Sequence, residues 1–218
     1  MAKTRGPFEP EFSELPRQIP VFPLPSALLL PGGKLPLNIF EPRYLAMVRD
    51  CLARPHRLIG MIQPRADEED NLYEIGCAGR ISNYGESDDG RLLITLSGTA
   101  RFRILDIEEV RDGYKLATVS WTDFKSDLVP NENPINRASL IENLRHYFEL
   151  KGYSADWEHI DNCEDERLVT TLSMICPFDV PEKQALLECP DLQERAKLLI
   201  AILEMASHAD EDENTVKH

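Results

Sequence analysis

IPVFPLPSALLLPGGKLPLNIFEPR, residues 19–43, is an apolar run cut by prolines and followed directly by the charged end Glu41, Pro42, Arg43. Pro20, Pro23 and Pro25 remove backbone donors, which confines a strand near Gln18–Phe22 to an edge or makes it short and kinked. Leu28–Leu30 and Leu35–Ile39 read as further short strands, broken at Pro31, Gly32 and Gly33, where a tight turn is permitted. Pro42 suits the first turn of a helix, and Glu41 sets negative charge at that helix's positive end. Tyr44, Leu45, Val48, Cys51 and Leu52 then form one apolar stripe, which predicts an amphipathic helix over Pro42–Ala53 packed against the sheet.

Downstream, Leu58–Gln63 resumes as a strand, and the acidic stretch after Pro64 reads as a solvated loop. Tyr73–Tyr84 is strand-like with a bend near Gly76 and Gly79. Asp88, Asp89 and Gly90 turn the chain into Arg91–Ser97, where Leu92, Ile94 and Leu96 point one way. Asp112 and Gly113 suit a two-residue hairpin turn joining Arg101–Val110 to Tyr114–Trp121. After a loop at Phe124–Glu132 the period becomes helical. Asn133 and Pro134 open a helix whose stripe is Ile141, Leu144, Tyr147 and Phe148, and Gly152 stops it. Leu168, Val169, Leu172, Ile175 and Cys176 form a second stripe, ended by Pro177. The pairs Asp179/Glu182 and Asp191/Glu194 resemble capping boxes of further helices.

Several stretches carry a family signature in order: the opening segment with Phe40, Glu41, Pro42, Arg43, Tyr44; IGMIQP at 59–64; IGCAGR at 75–80; DDGRLLITLSG at 88–98; and RFRI at 101–104. Together they resemble the substrate-binding domain at the N-terminus of the ATP-dependent Lon protease. The resemblance is close from Arg17 to Trp121 and looser in the helical remainder. It implies an α+β chain: a PUA-like β pseudo-barrel with an embedded helix, followed by a C-terminal helical bundle, used to recognise proteins and not to cut them. The expected organisation is a flexible arm at 1–16 pinned by Phe8 or Phe12, the β domain at 17–123, the bundle at 133–207 ending near Met205, and an acidic tail at 208–218.

A chain of 218 residues, 42% of them apolar, can bury a core without staples. Its five cysteines are odd in number, scattered and free of any Cys-x-x-Cys pair, so they read as thiols of a reducing compartment, the cytoplasm. No stretch has the length and apolarity of a secretory signal or a membrane span. The net charge of −14 is uneven, with −3 on residues 1–130 and −11 on residues 131–218. Such acidity argues against a nucleic-acid partner, although the nearly neutral N-terminal part leaves room for a local basic patch.

Chemistry-bearing motifs are few. A phosphate loop needs Gly-x-x-x-x-Gly-Lys followed by Ser or Thr, whereas Gly32, Gly33, Lys34 is followed by Leu35 and lacks the earlier glycine. The chain also has no room for the ATPase domain, or for the protease domain with its Ser and Lys pair, that full-length Lon proteases carry, so no catalytic residue, cofactor or metal is expected. His159 and Cys163, with Asp156 and Asp161 nearby, have helical ligand spacing but read equally as a charged inter-helix surface with a half-buried thiol. A Cys nucleophile paired with His56 or His146 lacks any local sign of an activated thiol.

The candidate protein-binding residues are Phe22, Leu24, Leu29, Phe40, Glu41, Arg43 and Tyr44. Glu41 and Arg43 beside two aromatics would anchor a peptide at a groove mouth, or would be a helix cap with a structural ion pair. Phe22, Leu24 and Leu28–Leu30 divide between core and exposed patch, because the prolines break the period that would sort them. Arg80, Arg91, Arg101 and Arg103 would form a basic strip on the sheet, or read, as such residues on strands usually do, as the solvated face. The reading that follows is a non-catalytic protein- or peptide-binding module, with an adaptor role in protein quality control and unfolded or specific clients, and a protease as a further partner. RNA binding through the PUA-like fold is the alternative and a peptidase-related hydrolase the second.

Overall fold

The computed structural model describes residues 10–65, 71–110, 112–129 and 134–216. The chain forms two compact units, one from Met1–Pro130 with Phe178–Leu187, the other from Asn131–Pro177 with Glu188–His218.

In the first unit, β1 (Gln18–Pro23), β2 (Lys34–Ile39), α1 (Pro42–Leu52), β3 (Leu58–Ile62), β4 (Ile75–Glu86), β5 (Leu92–Glu109) and β6 (Lys115–Ser120) follow one another. The sheet order is β2-β5-β4-β3-β1-β6, and a further β5–β6 pairing closes it. β1 and β3 run parallel, and every other pair is antiparallel. Closure depends on the length of β5. Its first half pairs with β2 and the end of β4, while its second half pairs with the start of β4 and with β6. Register shifts at Ala78/Gly79, Ile81/Asn83 and Ile104/Asp106 supply the bend that a closing strand needs. The ring is therefore β5-β4-β3-β1-β6, and β2 lies outside it, so the α+β architecture is a pseudo-barrel.

Ile19, Val21, Leu58, Ile62, Phe102, Val119 and Trp121 belong to the packed interior. Phe102 and Trp121 meet edge to face at 5.9 Å, and the Trp121 indole N–H donates to the Pro16 carbonyl at 2.8 Å. Phe12–Glu14 forms a short 3-10 turn, and Lys125 Nζ stands 4.7 Å over the Phe12 ring, which anchors this part of the N-terminal segment; Phe8 lies outside the described residues.

Some local expectations change. Leu28–Leu30 is an irregular but fully buried segment and not a strand, because three apolar side chains seat in the core while the backbone runs against β5. Gly98 makes this approach possible: its N–H donates to the Gly33 carbonyl at 2.8 Å and its carbonyl accepts from Gly32 N–H at 3.0 Å. A Cβ on residue 98 would overlap the Leu30 carbonyl. Arg91–Ser97 and Arg101–Val110 are parts of one continuous strand, since Gly98 stays in the ladder opposite Gly79. The hairpin holds one residue more than expected: Val110 N–H donates to the Tyr114 carbonyl, Gly113 N–H donates to the Val110 carbonyl, and Gly113 has φ +80°.

The second unit holds α2 (Arg137–Lys151), α3 (Trp157–Asn162), α4 (Asp165–Ile175) and α6 (Leu192–Val216). Asn133 lies outside the described residues; the cap of α2 is Asn136, whose side chain accepts from Ser139 N–H at 3.3 Å. The α2 stripe turns slightly from expectation, with Leu140, Leu144 and Tyr147 buried and Ile141 and Phe148 half-buried. α6 continues through the acidic segment to Val216, past Met205, where apolar periodicity ends but helical backbone does not. The intervening α5 (Val180–Glu188) lies almost wholly in the first unit. Its reciprocal Asp179–Glu182 capping bonds, at 2.8 and 2.9 Å, start it as the spacing predicts.

The close approach at Gly98 predicts that Gly98→Ala costs about 1–3 kcal/mol through overpacking. Gly85→Ala, where nothing lies within 4 Å, should be near neutral. Urea midpoints of the two variants compare them directly.

Candidate functional site

The seven candidate residues separate by burial. Phe22 (7% exposed), Leu29 (1%) and Tyr44 (4%) belong to the core. The Phe22 and Tyr44 rings lie 4.2 Å apart, holding α1 to β1, and a Cβ on Gly79 would lie 2.6 Å from Leu29 Cδ2. None of these three offers its side chain to a partner. Leu24 is half-buried, and Phe40 is 60% exposed.

Glu41 and Arg43 are half-buried and pair with each other at 3.1 Å, and the Arg43 guanidinium stacks 4.6 Å above the Tyr44 ring. The Glu41 side chain does not cap α1; its carbonyl accepts from Tyr44 and Leu45 N–H. Glu41 and Arg43 thus steady the turn that presents Phe40.

Phe40 directly follows β2 at the end of a three-stranded flap made of β2, the first half of β5 and the last part of β4. β2 pairs only with β5 among the described residues, so its other edge is open, and Pro36 in its middle removes one donor from the strand. The register sets Asn38 opposite Leu93, and Phe40 follows on the same face. Leu93 is 54% exposed, and the Arg91 guanidinium lies 5.8 Å over the Phe40 ring. Sequence reasoning missed Leu93. Its signal is available in hindsight, because Leu92, Ile94 and Leu96 point inward and Leu93 is the apolar residue out of phase.

Three of the four strand arginines, Arg91, Arg101 and Arg103, do not share one role. Arg91 pairs with Asp89 at 2.8 Å on the surface, and Arg103 bridges Glu74 and Asp123, both at 3.1 Å. Arg101, expected on a solvated face, is buried. Its guanidinium meets Asp127 through Nη2 at 2.7 Å and Nε at 2.9 Å, and Nη1 donates to the Leu187 carbonyl at 3.0 Å. Side-chain exposures of 3% and 7% leave the pair almost dry. The Arg101 backbone N–H also donates to Asp127 at 2.9 Å, and Phe124 lies 4.8 Å beneath the guanidinium. This pair fixes the 3-10 stretch Thr122–Leu128 and the end of α5 to β5. Further along α5, Lys183 Nζ donates to the Ser26 carbonyl at 2.7 Å and Gln184 donates to the Ile75 carbonyl at 3.1 Å.

Burial raises two groups far above their ordinary values. Burial pushes the Cys51 thiol up to about 12, so it is held protonated and inert. Burial, and then the 2.7 Å hydrogen bond its hydroxyl donates to Asp50, pushes Tyr114 up to about 12. α3 ends at Asn162 and Cys163 is extended, so His159 and Cys163 do not share a helix face. Among the described residues no group of three or more His, Cys, Asp or Glu is arranged to hold a metal ion.

Residues 18–205 match the family described as the ATP-dependent protease La (LON) substrate-binding domain. The chain belongs to this family. Among full-length relatives, Lon protease 2 of Myxococcus xanthus is 29% identical over 199 residues, covering 87% of this chain and 24% of that protein. Lon protease of Anaeromyxobacter dehalogenans is 27% identical, covering 87% and 23%. The chain thus spans about a quarter of the length of the curated relatives it matches. Among solved structures, a Lon N-terminal domain protein from Xanthomonas campestris superposes with a TM-score of 0.61 at 25% identity, over 84% of this chain and 97% of that one. The N-terminal domain of the Mycobacterium avium complex Lon protease gives 0.61 at 20% identity, over 86% and 98%, a likeness of fold. The Lon substrate-binding family thus covers both units described above. Among the described residues no helix is long and apolar enough to cross a membrane.

Two outcomes are expected. Asp127→Ala, which strands a buried guanidinium, costs about 3–5 kcal/mol, whereas Arg101→Met with Asp127→Leu recovers most of it; urea melts of the double-mutant cycle test this. Because Tyr114 holds its proton more tightly folded than unfolded, its contribution is whole below about pH 10 and is lost as pH rises toward 12. Wild type should therefore lose stability over that range more steeply than Tyr114→Phe.

Proposed function

We propose that this chain is a non-catalytic protein-binding module that takes exposed apolar segments of unfolded or specific client proteins on its β2–β5–β4 flap. The observation that carries the reading is the exposed pair Phe40 and Leu93 on one face of the flap. Paired apolar side chains left in water on a small sheet mark a surface that another chain covers. Membership of the substrate-binding family supports the same use.

The client segment lies across Phe40 and Leu93, with the Arg91 guanidinium closing one side. Pro36 on the open edge weakens simple strand addition, so side-chain burial supplies most of the affinity. An adaptor role that brings clients to a protease, within protein quality control, is the finer form of this proposal. The free cysteines suit a reducing compartment, and the cytoplasm is the proposed location.

The test is fluorescence anisotropy with a labelled, net-neutral, unstructured peptide rich in Leu and Phe. Phe40→Ser with Leu93→Ser should weaken binding about tenfold or more. Its urea midpoint should stay near wild type, because exposed substitutions usually change stability by about 0.5 kcal/mol or less. Affinity should persist at high salt. Binding that is equal in wild type and variant would remove the flap from the proposal.

A further inference from the structure

The last turn of α1 and the segment that leaves it contain Arg49, Arg54 and Arg57, all exposed. In a chain of net charge −14, acids are plentiful, and Arg43, Arg91, Arg101, Arg103 and Arg137 each find a carboxylate. Arg49, Arg54 and Arg57 form no ion pair among the described residues. The acid of this stretch, Asp50, accepts the Tyr114 hydroxyl at 2.7 Å.

Backbone hydrogen bonds order this stretch at both ends. Ala53 N–H donates to the Arg49 carbonyl at 3.2 Å and Arg54 N–H to the Cys51 carbonyl at 3.1 Å. Ile81 N–H donates to the Arg57 carbonyl at 2.9 Å, joining the stretch to β4 beside Arg80, which pairs in register with Leu58.

Arg57 carries a second mark. Its φ is +52°, a left-handed conformation that glycine or asparagine adopts without penalty and arginine does not. A strained residue whose side chain makes no ion pair among the described residues points to a role outside the fold. The helix dipole accounts for a cation in the last turn of α1, hence for Arg49, but its influence fades within that turn, and Arg57 lies five residues past Leu52.

We propose that the Arg49–Arg57 stretch is a docking site for acidic segments of protein partners, separate from the apolar flap. Guanidinium groups grip carboxylates in bidentate fashion, and three of them along one nine-residue stretch suit a short run of Asp and Glu. A longer polyanion such as RNA would meet the acidity of the rest of the chain, whereas a short acidic peptide needs only this stretch. The inference rests on the reading of the chain as a protein-binding module but uses a different surface.

Anisotropy of a short fluorescein-labelled poly-Glu peptide at low and physiological salt tests it. Wild type should bind saturably and lose affinity with salt. The variant carrying Arg49→Glu, Arg54→Glu and Arg57→Glu should bind at least roughly tenfold more weakly. Gln at the same positions is the second variant, in case the acidic one does not fold. Arg57→Gly separates display from structure: it should bind about threefold more weakly yet melt at or above the wild-type temperature, because glycine relieves the strain.

Absence of saturable binding, or equal affinity in a folded triple variant, overturns the proposal. So does oligouridylate that binds more tightly than poly-Glu and is lost in the same variant, since phosphate would then be the ligand. If the neutral apolar peptide binds and poly-Glu does not, the Arg49–Arg57 site alone falls. If neither binds, the protein-binding reading falls with it.

Discussion

Arg101 and Asp127 form an ion pair in a place where water scarcely reaches, and the first unit depends on how completely that pair is satisfied. Removing two charges from water costs several kcal/mol for each ion, recovered only when geometry is good and the remaining donors find acceptors. Here the carboxylate takes two guanidinium contacts and the Arg101 backbone N–H, and the third side of the fork donates to the Leu187 carbonyl. Two pieces of chain, Thr122–Leu128 and the end of α5, are thereby tied to one position on β5. The energetic gain over an apolar core is small, but the penalty for misplacing any one piece is large, and that asymmetry specifies a single arrangement.

The same strand decides the shape of the sheet. β5 is long enough to serve two neighbourhoods, and its register shifts let it turn from the flap into the ring. Gly98 stands at that change, where the Leu28–Leu30 segment crosses so closely that no side chain fits. Because the ring closes through β4, β3, β1 and β6, β2 remains outside with one edge unpaired among the described residues. The flap that displays Phe40 and Leu93 is thus a consequence of barrel closure, and α1, capped by the Glu41 carbonyl, positions the residues between flap and core.

Much of this was legible in the residues. Pro42 and the stripe ending at Cys51 and Leu52 announce α1, and alternation at Leu92, Ile94 and Leu96 announces β5. Asp179 with Glu182 announces the start of α5. Errors arose where local pattern carries no information about neighbours. Three consecutive leucines at Leu28–Leu30 look like a strand because burial and strand pairing give the same composition. Arg101 looks solvated because alternation reports which face of a strand a residue occupies, and only tertiary packing reports that Asp127 covers that face. Phe22 and Tyr44 look available because an aromatic beside a charged turn is equally common in core and in contact surfaces. They are distinguished by the 4.2 Å ring contact that each makes with the other.

The sequence by itself determined the class of fold, the order of elements, the helix starts and the family, because these depend on interactions between residues close along the chain and on motifs read in order. Tertiary structure alone decided that α5 belongs with the β unit and that β2 is left at an edge. It also decided that Arg101 is buried while Arg49, Arg54 and Arg57 are not. Each of those outcomes turns on desolvation and pairing between segments far apart in the chain, and no local periodicity encodes which distant carboxylate, carbonyl or ring arrives to cover a given side chain.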